Sequence, residues 1–345
     1  MTAGARAEIA AHARLQSEGC AMLGSALYAG LLDRVAADVE AGGPCLDVLS
    51  PFAGWAFGSA YALRMMGAVN RLVLTGSAPS LEPHFAPGGD AAAAWEPFLS
   101  LLADRGDEVQ AVAVERGVQT NEVGRCAALA PAVLWLADGR PLRLLEIGAS
   151  AGLNLRWDRY RYELLWGDPA SPVRLVDRYD GEVPPFAARS SVEVVERRGC
   201  DRSPVDAATG DGALTLLSYV WPDQEERVAL LRGAIEVARE VPARVDEAGA
   251  GDWLEDALAE PLPGDTVTVV FHSIFWQYVA EEERSRIRAA LAGAGERASD
   301  GARLAWLRME ADGADARLDV TTWPGGDERL VGRAGYHGRP VRWLG

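Results

Sequence analysis

Two side chains that could do chemistry stand four residues apart at a glycine-rich turn, the carboxyl group of Glu146 and the hydroxyl of Ser150. The preceding run, Leu142–Ile147, is apolar apart from two charged residues, and Gly148 and Gly152 flank the serine. We interpret the stretch as a buried parallel strand, a tight turn and the start of a helix. The glycines would allow the turn and the close packing of helix on strand. The N-terminus of such a helix could bind a carboxylate or a phosphate.

The spacing of the turn favours one kind of cofactor. The turn lacks the G-x-G-x-x-G pattern of dinucleotide-binding folds. It is similar to the E-x-G-x-G-x-G pattern of S-adenosylmethionine methyltransferases, with Ser150 in the place of the middle glycine. We therefore expect S-adenosylmethionine to bind at Glu146, Gly148, Ser150, Gly152 and Asn154. Glu146 would hold either the amides of the turn or the amino group of the cofactor.

The same letters also form G-x-S-x-G, the turn that carries the nucleophilic serine of α/β hydrolases. Asp223, with His272 or His337, follows Ser150 in the chain order that an acid and a base require. Against this interpretation, Glu146 directly before the turn is unusual for a hydrolase, and the preceding residues have a helical pattern. The hydrolase remains the competing hypothesis.

Acidic residues near two further β-rich runs could bind ribose, because a carboxylate accepts hydrogen bonds from vicinal hydroxyls. Asp201 and Asp206 follow the run at 192–196, and Asp177 or Glu163 lies near the run at 173–176. A polar turn with a helix-capping residue is the alternative at each position.

Trp221 and Asp223 follow a run at 214–220, which we predict to be the fourth strand. The tryptophan could stack on a planar substrate or shield a sulfonium. Asp223 could act as a general base, or it could cap the helix predicted at 223–240.

His272 ends the run at 266–271, and Gln277 follows it. An imidazole at the carboxyl edge of a sheet suits acid–base chemistry, although a lone histidine is often structural. No second histidine or carboxylate stands at ligand spacing, so we expect no metal.

Asn121, Glu122 and Arg125 open the last helix before the central strand. They could bind substrate, or Glu122 and Arg125 could form a buried ion pair. A right-handed crossover of one helix would return them to the carboxyl edge of the sheet. We predict one substrate pocket there, with Glu122, Asp223 and His272 as catalytic residues and Asn121, Arg125, Trp221 and Gln277 as substrate-binding residues.

Two regions follow from the hydrophobic pattern. The pattern predicts a helical part at residues 1–139 that could serve as a cap over the substrate, with helices at 7–18, 20–40, 55–69, 91–104 and 121–137. Residues 140–345 alternate β-rich runs with helices, the longest at 223–240 and 281–294, and the later runs lie at 304–308 and 318–322. This alternation predicts an α/β fold, a Rossmann-like, doubly wound, mostly parallel sheet of seven strands with an antiparallel far edge.

Composition and charge exclude some classes of partner. The chain has 345 residues, a formal net charge of -16 and four widely separated cysteines. So acidic a protein is a poor partner for nucleic acid or an anionic membrane, and no apolar run is long enough to span one. The spacing of the cysteines fits reduced thiols, and we see no secretion signal, so we expect a cytoplasmic protein. We expect its substrate to be a small molecule.

With these motifs in view, the sequence resembles an uncharacterised bacterial family, number 2332 among the domains of unknown function. The likeness spans nearly the whole chain and rests on Gln119 to Glu122, Arg125 and Cys126, Glu146 to Asn154 with Trp157 and Asp158, Arg198 to Asp201 and Pro204, Trp221 to Gln224, His272, Ser273, Trp276 and Gln277, Arg308 to Glu310, and Tyr336 to Gly338. The resemblance implies a sheet like that of class I methyltransferases behind a helical N-terminal part, without an assigned activity. The function expected is an S-adenosylmethionine-dependent methyltransferase for a small molecule. The alternatives are the hydrolase and a non-catalytic ligand-binding module on a degenerate methyltransferase fold.

Overall fold

A computed structural model describes residues 2–162, 166–181 and 192–345. These residues form two compact units, Met1–Thr120 with Gly210–Ala229 and Asn121–Thr209 with Leu230–Gly345. The hydrophobic pattern predicts a boundary at 139/140 instead, with residues 210–229 in the sheet region. Glu163, a candidate ribose ligand, lies outside the described residues.

α-Helices make up most of the described part of the first unit and also occur in the second. They are α1 (Ala3–Met22), α2 (Ala26–Ala41), α3 (Pro44–Leu49), α4 (Tyr61–Leu74), α5 (Ala91–Glu115), α6 (Cys126–Ala137), α7 (Gly210–Ser218), α8 (Glu225–Glu240), α9 (Ala250–Ala257) and α10 (Glu281–Gly295). In α2 the buried residues Leu31, Leu32, Val35 and Val39 recur at helical spacing and face the core of the first unit. The helices predicted in the N-terminal part and at 223–240 and 281–294 are confirmed.

The strand predicted at 214–220 is wrong, because these residues belong to helix α7 and the turn after it. Residues Gly212, Ala213, Thr215 and Leu216 are buried along one side of the helix. A short apolar run does not distinguish a buried helix from a buried strand, because both hide every apolar position.

The strands all lie in the second unit. They are β1 (Leu142–Ile147), β2 (Arg161–Tyr162), β3 (Arg174–Leu175), β4 (Val194–Asp201), β5 (Arg244–Glu247), β6 (Thr266–Ser273), β7 (Ala302–Asp312), β8 (Asp315–Trp323), β9 (Asp327–Ala334) and β10 (Val341–Trp343). The strand predicted at 173–176 is β3, which pairs with β2 in a separate small sheet.

The main sheet has the order β10-β9-β8-β7-β6-β1-β4-β5. The strands from β7 to β5 are parallel, and β8, β9 and β10 add antiparallel pairs at the far edge. The Rossmann-like, doubly wound and mostly parallel fold is confirmed, but the described sheet has eight strands and not seven. Five of the seven predicted runs lie in this sheet, whereas 173–176 is in the small sheet and 214–220 is mostly helical. The other three strands, β5, β9 and β10, were not predicted, because β5 and β9 expose charged residues and β10 has only three residues.

Helices cover both faces of this sheet. Leu145, Val270 and Trp306 pack with α9 and α10 on one face, and α6 packs on the other. The chain leaves β1 for β4 and β5 on one side, and it returns to β6 and β7 on the other. The order therefore reverses beside β1, which is where ligands bind in open α/β sheets. Among the described residues no helix has both the length and the apolar surface needed to cross a membrane.

Candidate functional site

The turn after β1 has an unusual backbone at every second residue. Gly148, Ser150 and Gly152 all have positive φ, at 66°, 54° and 65°. A residue with a Cβ is strained in this region, which costs about 1–2 kcal/mol. Two hydrogen bonds hold the serine there, since its amide donates to Asp201 Oδ2 at 2.9 Å and its carbonyl accepts from Val205 N at 3.1 Å.

The helix predicted after this turn is only a short 3₁₀ helix, Asn154–Arg159, interrupted at Arg156. The turn amides are also bonded within the protein, because Ala149 N donates to Cys200 O at 3.0 Å and Leu153 N to Asn121 Oδ1 at 2.8 Å. The predicted helix N-terminus for a carboxylate is therefore wrong. A short 3₁₀ helix has little dipole, and its neighbouring amides already have acceptors.

Glu146 is buried at the end of β1, directly before the turn. This burial raises its pKa well above the ordinary value, while contacts with Asn154 and Arg156 oppose the shift. Burial therefore favours the protonated form of this carboxyl group. Its Oε2 has no hydrogen-bond partner among the described residues. Asn154 is buried beside it and accepts a hydrogen bond from Cys126 Sγ at 3.2 Å.

Asp201 ends β4, the neighbour of β1, as the sequence predicted. Besides the Ser150 amide, it accepts a hydrogen bond from Ser203 N at 2.9 Å. Each carboxylate oxygen retains a further lone pair, so Asp201 braces the turn and can still accept from a ligand. Asp206 accepts from Ala208 N within a polar turn, which fits the capping alternative. Asp177 is exposed and follows β3, which is outside the main sheet.

His272 lies in β6 at the carboxyl edge and is completely buried. Its Nδ1 lies 2.6 Å from Oε1 of Glu310 on β7, and its Nε2 has no hydrogen-bond partner in the part of the chain that the structure describes. Gln277 is exposed on the segment after β6.

Phe275, on the same segment, covers the glycine turn. An ideal Cβ on Gly148 would lie 2.7 Å from both Cγ and Cε2 of this ring. Residue 148 must be glycine because the aromatic ring occupies the space of a side chain.

Two of the predicted substrate residues are anchored near this edge. Asn121 binds the Leu153 amide of the turn. Arg125 donates to the carbonyls of Tyr336 at 3.0 Å and Ser273 at 3.1 Å. The structure thus brings Asn121 to the glycine turn and Arg125 to the end of β6. Glu122 is buried and accepts from Gly124 N at 3.2 Å.

Trp221 and Asp223 belong to the first unit and do not follow a strand, so the reason for placing them in the site is wrong. Asp223 accepts hydrogen bonds from Ser25 Oγ at 2.7 Å and Leu27 N at 3.1 Å at the start of α2. Asp223 therefore supports the N-terminus of α2. Trp221 is buried against Tyr28 in the core of the first unit.

Three residues that contribute to this region were not predicted: Arg156, Phe275 and Glu310. Arg156 is buried and donates to Gly152 O and Val241 O, at 2.7 Å each. Its position just after the glycine turn was a signal, because a charged residue in an apolar run is seldom buried without partners. Glu310 is the last residue of the motif Arg308 to Glu310, but its partner, His272, lies 38 positions earlier in the chain.

A groove of about 560 Å³ lies elsewhere, between α6 and the amino ends of β6 and β7. It includes Trp135, Arg303 and Arg329. Ligands of open α/β sheets bind at the carboxyl ends of the strands, so we place the candidate site there and not in this groove.

Comparisons with known proteins identify a family but no activity. No curated protein matches the chain significantly. A solved DhpI–SAH complex is similar over 61% of this chain and 67% of that chain, at 13% sequence identity and a TM-score of 0.22. A likeness at this level does not establish a shared function. The model of DUF2332, an uncharacterized protein conserved in bacteria, matches residues 10–343, and the chain therefore belongs to this bacterial family.

Proposed function

We propose that the protein is an S-adenosylmethionine-dependent methyltransferase that acts on a small molecule. One observation carries the proposal. A positive-φ turn lies beside the point where strand order reverses, and it is flanked by Glu146 on β1 and Asp201 on the adjacent β4. Two hydrogen-bond acceptors at neighbouring strand ends suit a ligand that carries an ammonium group and ribose hydroxyls.

The residues fit this cofactor in part. The unpartnered Oε2 of Glu146 and the remaining lone pairs of Asp201 are suitable acceptors. The amides of Ala149, Ser150, Gly152 and Leu153, by contrast, already have acceptors, and Phe275 covers Gly148. A bound cofactor would therefore need to hold its carboxylate elsewhere and to displace the ring.

The remaining roles concern positioning and proton transfer. When bound, the cofactor would supply an electrophilic methyl group, and transfer needs mainly the alignment of the acceptor. His272 could take up a proton through Nε2, and Asn121 and Arg125 could orient the substrate. The contribution of Glu122 and Gln277 stays a prediction. Four buried cysteines without disulfides, together with the negative charge, favour a reducing compartment and a small-molecule partner.

Calorimetric titration with S-adenosylmethionine and S-adenosylhomocysteine tests the proposal, with adenosine as the comparison ligand. We expect binding and thermal stabilisation, of about 2.7 kcal/mol when ligand exceeds Kd a hundredfold. Asp201→Ala should weaken both ligands. The absence of heat and of stabilisation at millimolar ligand would contradict the proposal. Binding without turnover over a panel of acceptors would instead support a ligand-binding module.

The hydrolase is retained as a second candidate because of the backbone of Ser150. Its φ of 54° resembles the strained turn that exposes a nucleophilic serine. Ser150 is nevertheless buried, and a 3₁₀ helix follows it. Covalent labelling of Ser150 by a fluorophosphonate would favour the hydrolase hypothesis. If Ser150 stayed unlabelled, the hydrolase hypothesis would be rejected.

A further inference from the structure

Glu310 joins two parts of the candidate site through one oxygen atom. Its Oε1 lies 2.6 Å from His272 Nδ1 and accepts a hydrogen bond from the Phe275 amide at 3.0 Å. The strand register produces this contact, because Ser273 pairs with Met309 and Glu310 is the next residue of β7. No role proposed above uses this carboxylate.

The imidazole of His272 is held on its faces as well as at Nδ1. Trp276 stacks on it with ring centroids 5.4 Å apart and planes 12° apart, and Trp306 lies at 5.9 Å. Trp276 is itself held by Arg284, which donates to its carbonyl at 2.7 and 3.2 Å. The orientation of the imidazole is therefore fixed from several sides.

Fixing Nδ1 decides what Nε2 can do. An ionised carboxylate only accepts hydrogen bonds, so Nδ1 carries the hydrogen and Nε2 presents a lone pair. That nitrogen is buried and has no partner among the residues described. It is available to a ligand group that donates a hydrogen bond.

Phe275 stands next to this imidazole. Its ring meets His272 edge to face with centroids 5.7 Å apart, and it also covers Gly148. Its backbone is tied to Glu310, and Ile274 N is tied to Met309 O at 2.8 Å. The Phe275 ring therefore lies against both the imidazole and the glycine turn.

We propose that Glu310 is a positioning residue that holds His272 as the Nδ1–H tautomer, and that Phe275 is a gate between this imidazole and the glycine turn. The proposal rests on the proposed function for its substrate class. With the Phe275 ring moved aside, Nε2 of His272 takes the proton of the methyl acceptor, and the carboxylate of Glu310 balances the imidazolium charge. The acceptor is therefore a hydroxyl or an N–H group, and not a thioether or a tertiary amine.

The tautomer can be measured without any ligand. Long-range proton–nitrogen correlation spectra distinguish the two imidazole nitrogens of each of the four histidines. Substituting His12, His84 and His337 one at a time assigns the remaining signal to His272. We expect the Nδ1–H form in the wild type and in Glu310→Gln, which keeps an acceptor oxygen, and its loss in Glu310→Met. An Nε2–H form in the wild type, or an unchanged tautomer in Glu310→Met, would overturn the positioning role.

Acylation by diethyl pyrocarbonate, read by mass spectrometry, tests the gate. His272 should stay unmodified in the wild type and become modified in Phe275→Ala. Tyr278→Ala is the matched control, because Tyr278 is 61% exposed on the same segment and its removal should leave His272 protected. Protection of His272 in Phe275→Ala would refute the gate. Neither measurement depends on the cofactor, so a failure of cofactor binding would refute the proposed function and leave these two results to decide the roles of Glu310 and Phe275.

Discussion

Asp201 Oδ2 accepts a hydrogen bond from the amide of Ser150 at 2.9 Å, so a carboxylate on β4 fixes the left-handed residue of the turn after β1. Asp201→Asn should loosen this turn, because one of the two acceptor oxygens becomes an NH₂ group that faces an amide donor. We expect a loss of about 1–3 kcal/mol in the free energy of unfolding. Urea unfolding measures it.

Asp206→Asn is the matched control for this substitution. Asp206 also accepts a backbone amide, from Ala208, but in an exposed turn. It should cost well under the loss at Asp201, about 0.5 kcal/mol or less. Equal losses in the free energy of unfolding would show that the hydrogen bond from Ser150 to Asp201 stabilises the protein no more than the one at the exposed turn.

Burial of Glu146 gives the protein a distinct pH dependence. Its pKa is raised well above 4.5 in the folded state, chiefly by desolvation, so the folded protein keeps a proton that the unfolded chain releases. The stabilisation is complete below pH 4.5 and is lost as the pH rises toward the folded pKa, by up to about 1.4 kcal/mol per pH unit.

Glu146→Gln removes this titration. Relative to wild type, the variant should become steadily more stable in urea unfolding as the pH rises from about 4.5 toward the raised pKa of the folded state. Glu225→Gln, at an exposed position, should keep a constant difference from wild type. A constant difference for Glu146→Gln as well would mean that the folded state does not retain the proton.

Ser150→Gly separates the two candidate activities. Glycine removes a strain of about 1–2 kcal/mol but adds about 0.5–1 kcal/mol of conformational entropy loss, so stability should change little. A methyltransferase should still bind its cofactor, because the backbone conformation is preserved. A hydrolase would lose its nucleophile and all fluorophosphonate labelling.

Ser150→Ala serves as the comparison because it also lacks the hydroxyl group but keeps Cβ at a φ of 54°. It should be less stable than Ser150→Gly by about 1 kcal/mol in thermal unfolding. If alanine proved as stable as glycine, the left-handed strain at this position would be negligible.

Sequence patterns predicted the fold better than the site. Strands β1, β6 and β7 are buried and strongly apolar, and the alternation of such runs with helices predicted the mostly parallel sheet. The run at 214–220 was misassigned because its apolar letters suit either element. The contact of His272 with Glu310 depends on the register of β6 against β7, which one sequence does not reveal.

Asp223 should be needed for stability and not primarily for chemistry. It binds Ser25 Oγ and Leu27 N at the start of α2, and Asp223→Asn leaves only one acceptor oxygen for both. We expect a loss of about 1 kcal/mol, as for other helix caps, measured by urea unfolding. Asp33→Asn, at an exposed site in α2, should be neutral. Unchanged stability in Asp223→Asn would restore the functional interpretation of this residue.

Gly338 lies in the turn between β9 and β10, where its backbone closely approaches Arg125. Its φ is 74°, and a Cβ there would lie 2.7 Å from Arg125 N, against backbone that cannot give way. Gly338→Ala should therefore push the turn away from the segment that begins at Asn121 and disturb the bond from Arg125 to Tyr336 O. Gly313 offers a matched control, since it has the same φ of 74° but nothing within 4 Å of an added Cβ. Gly313→Ala should show only the backbone strain, about 1–2 kcal/mol, and Gly338→Ala clearly more. Thermal unfolding of the two variants gives the difference, and equal losses would mean that the close approach at Gly338 carries no cost of its own.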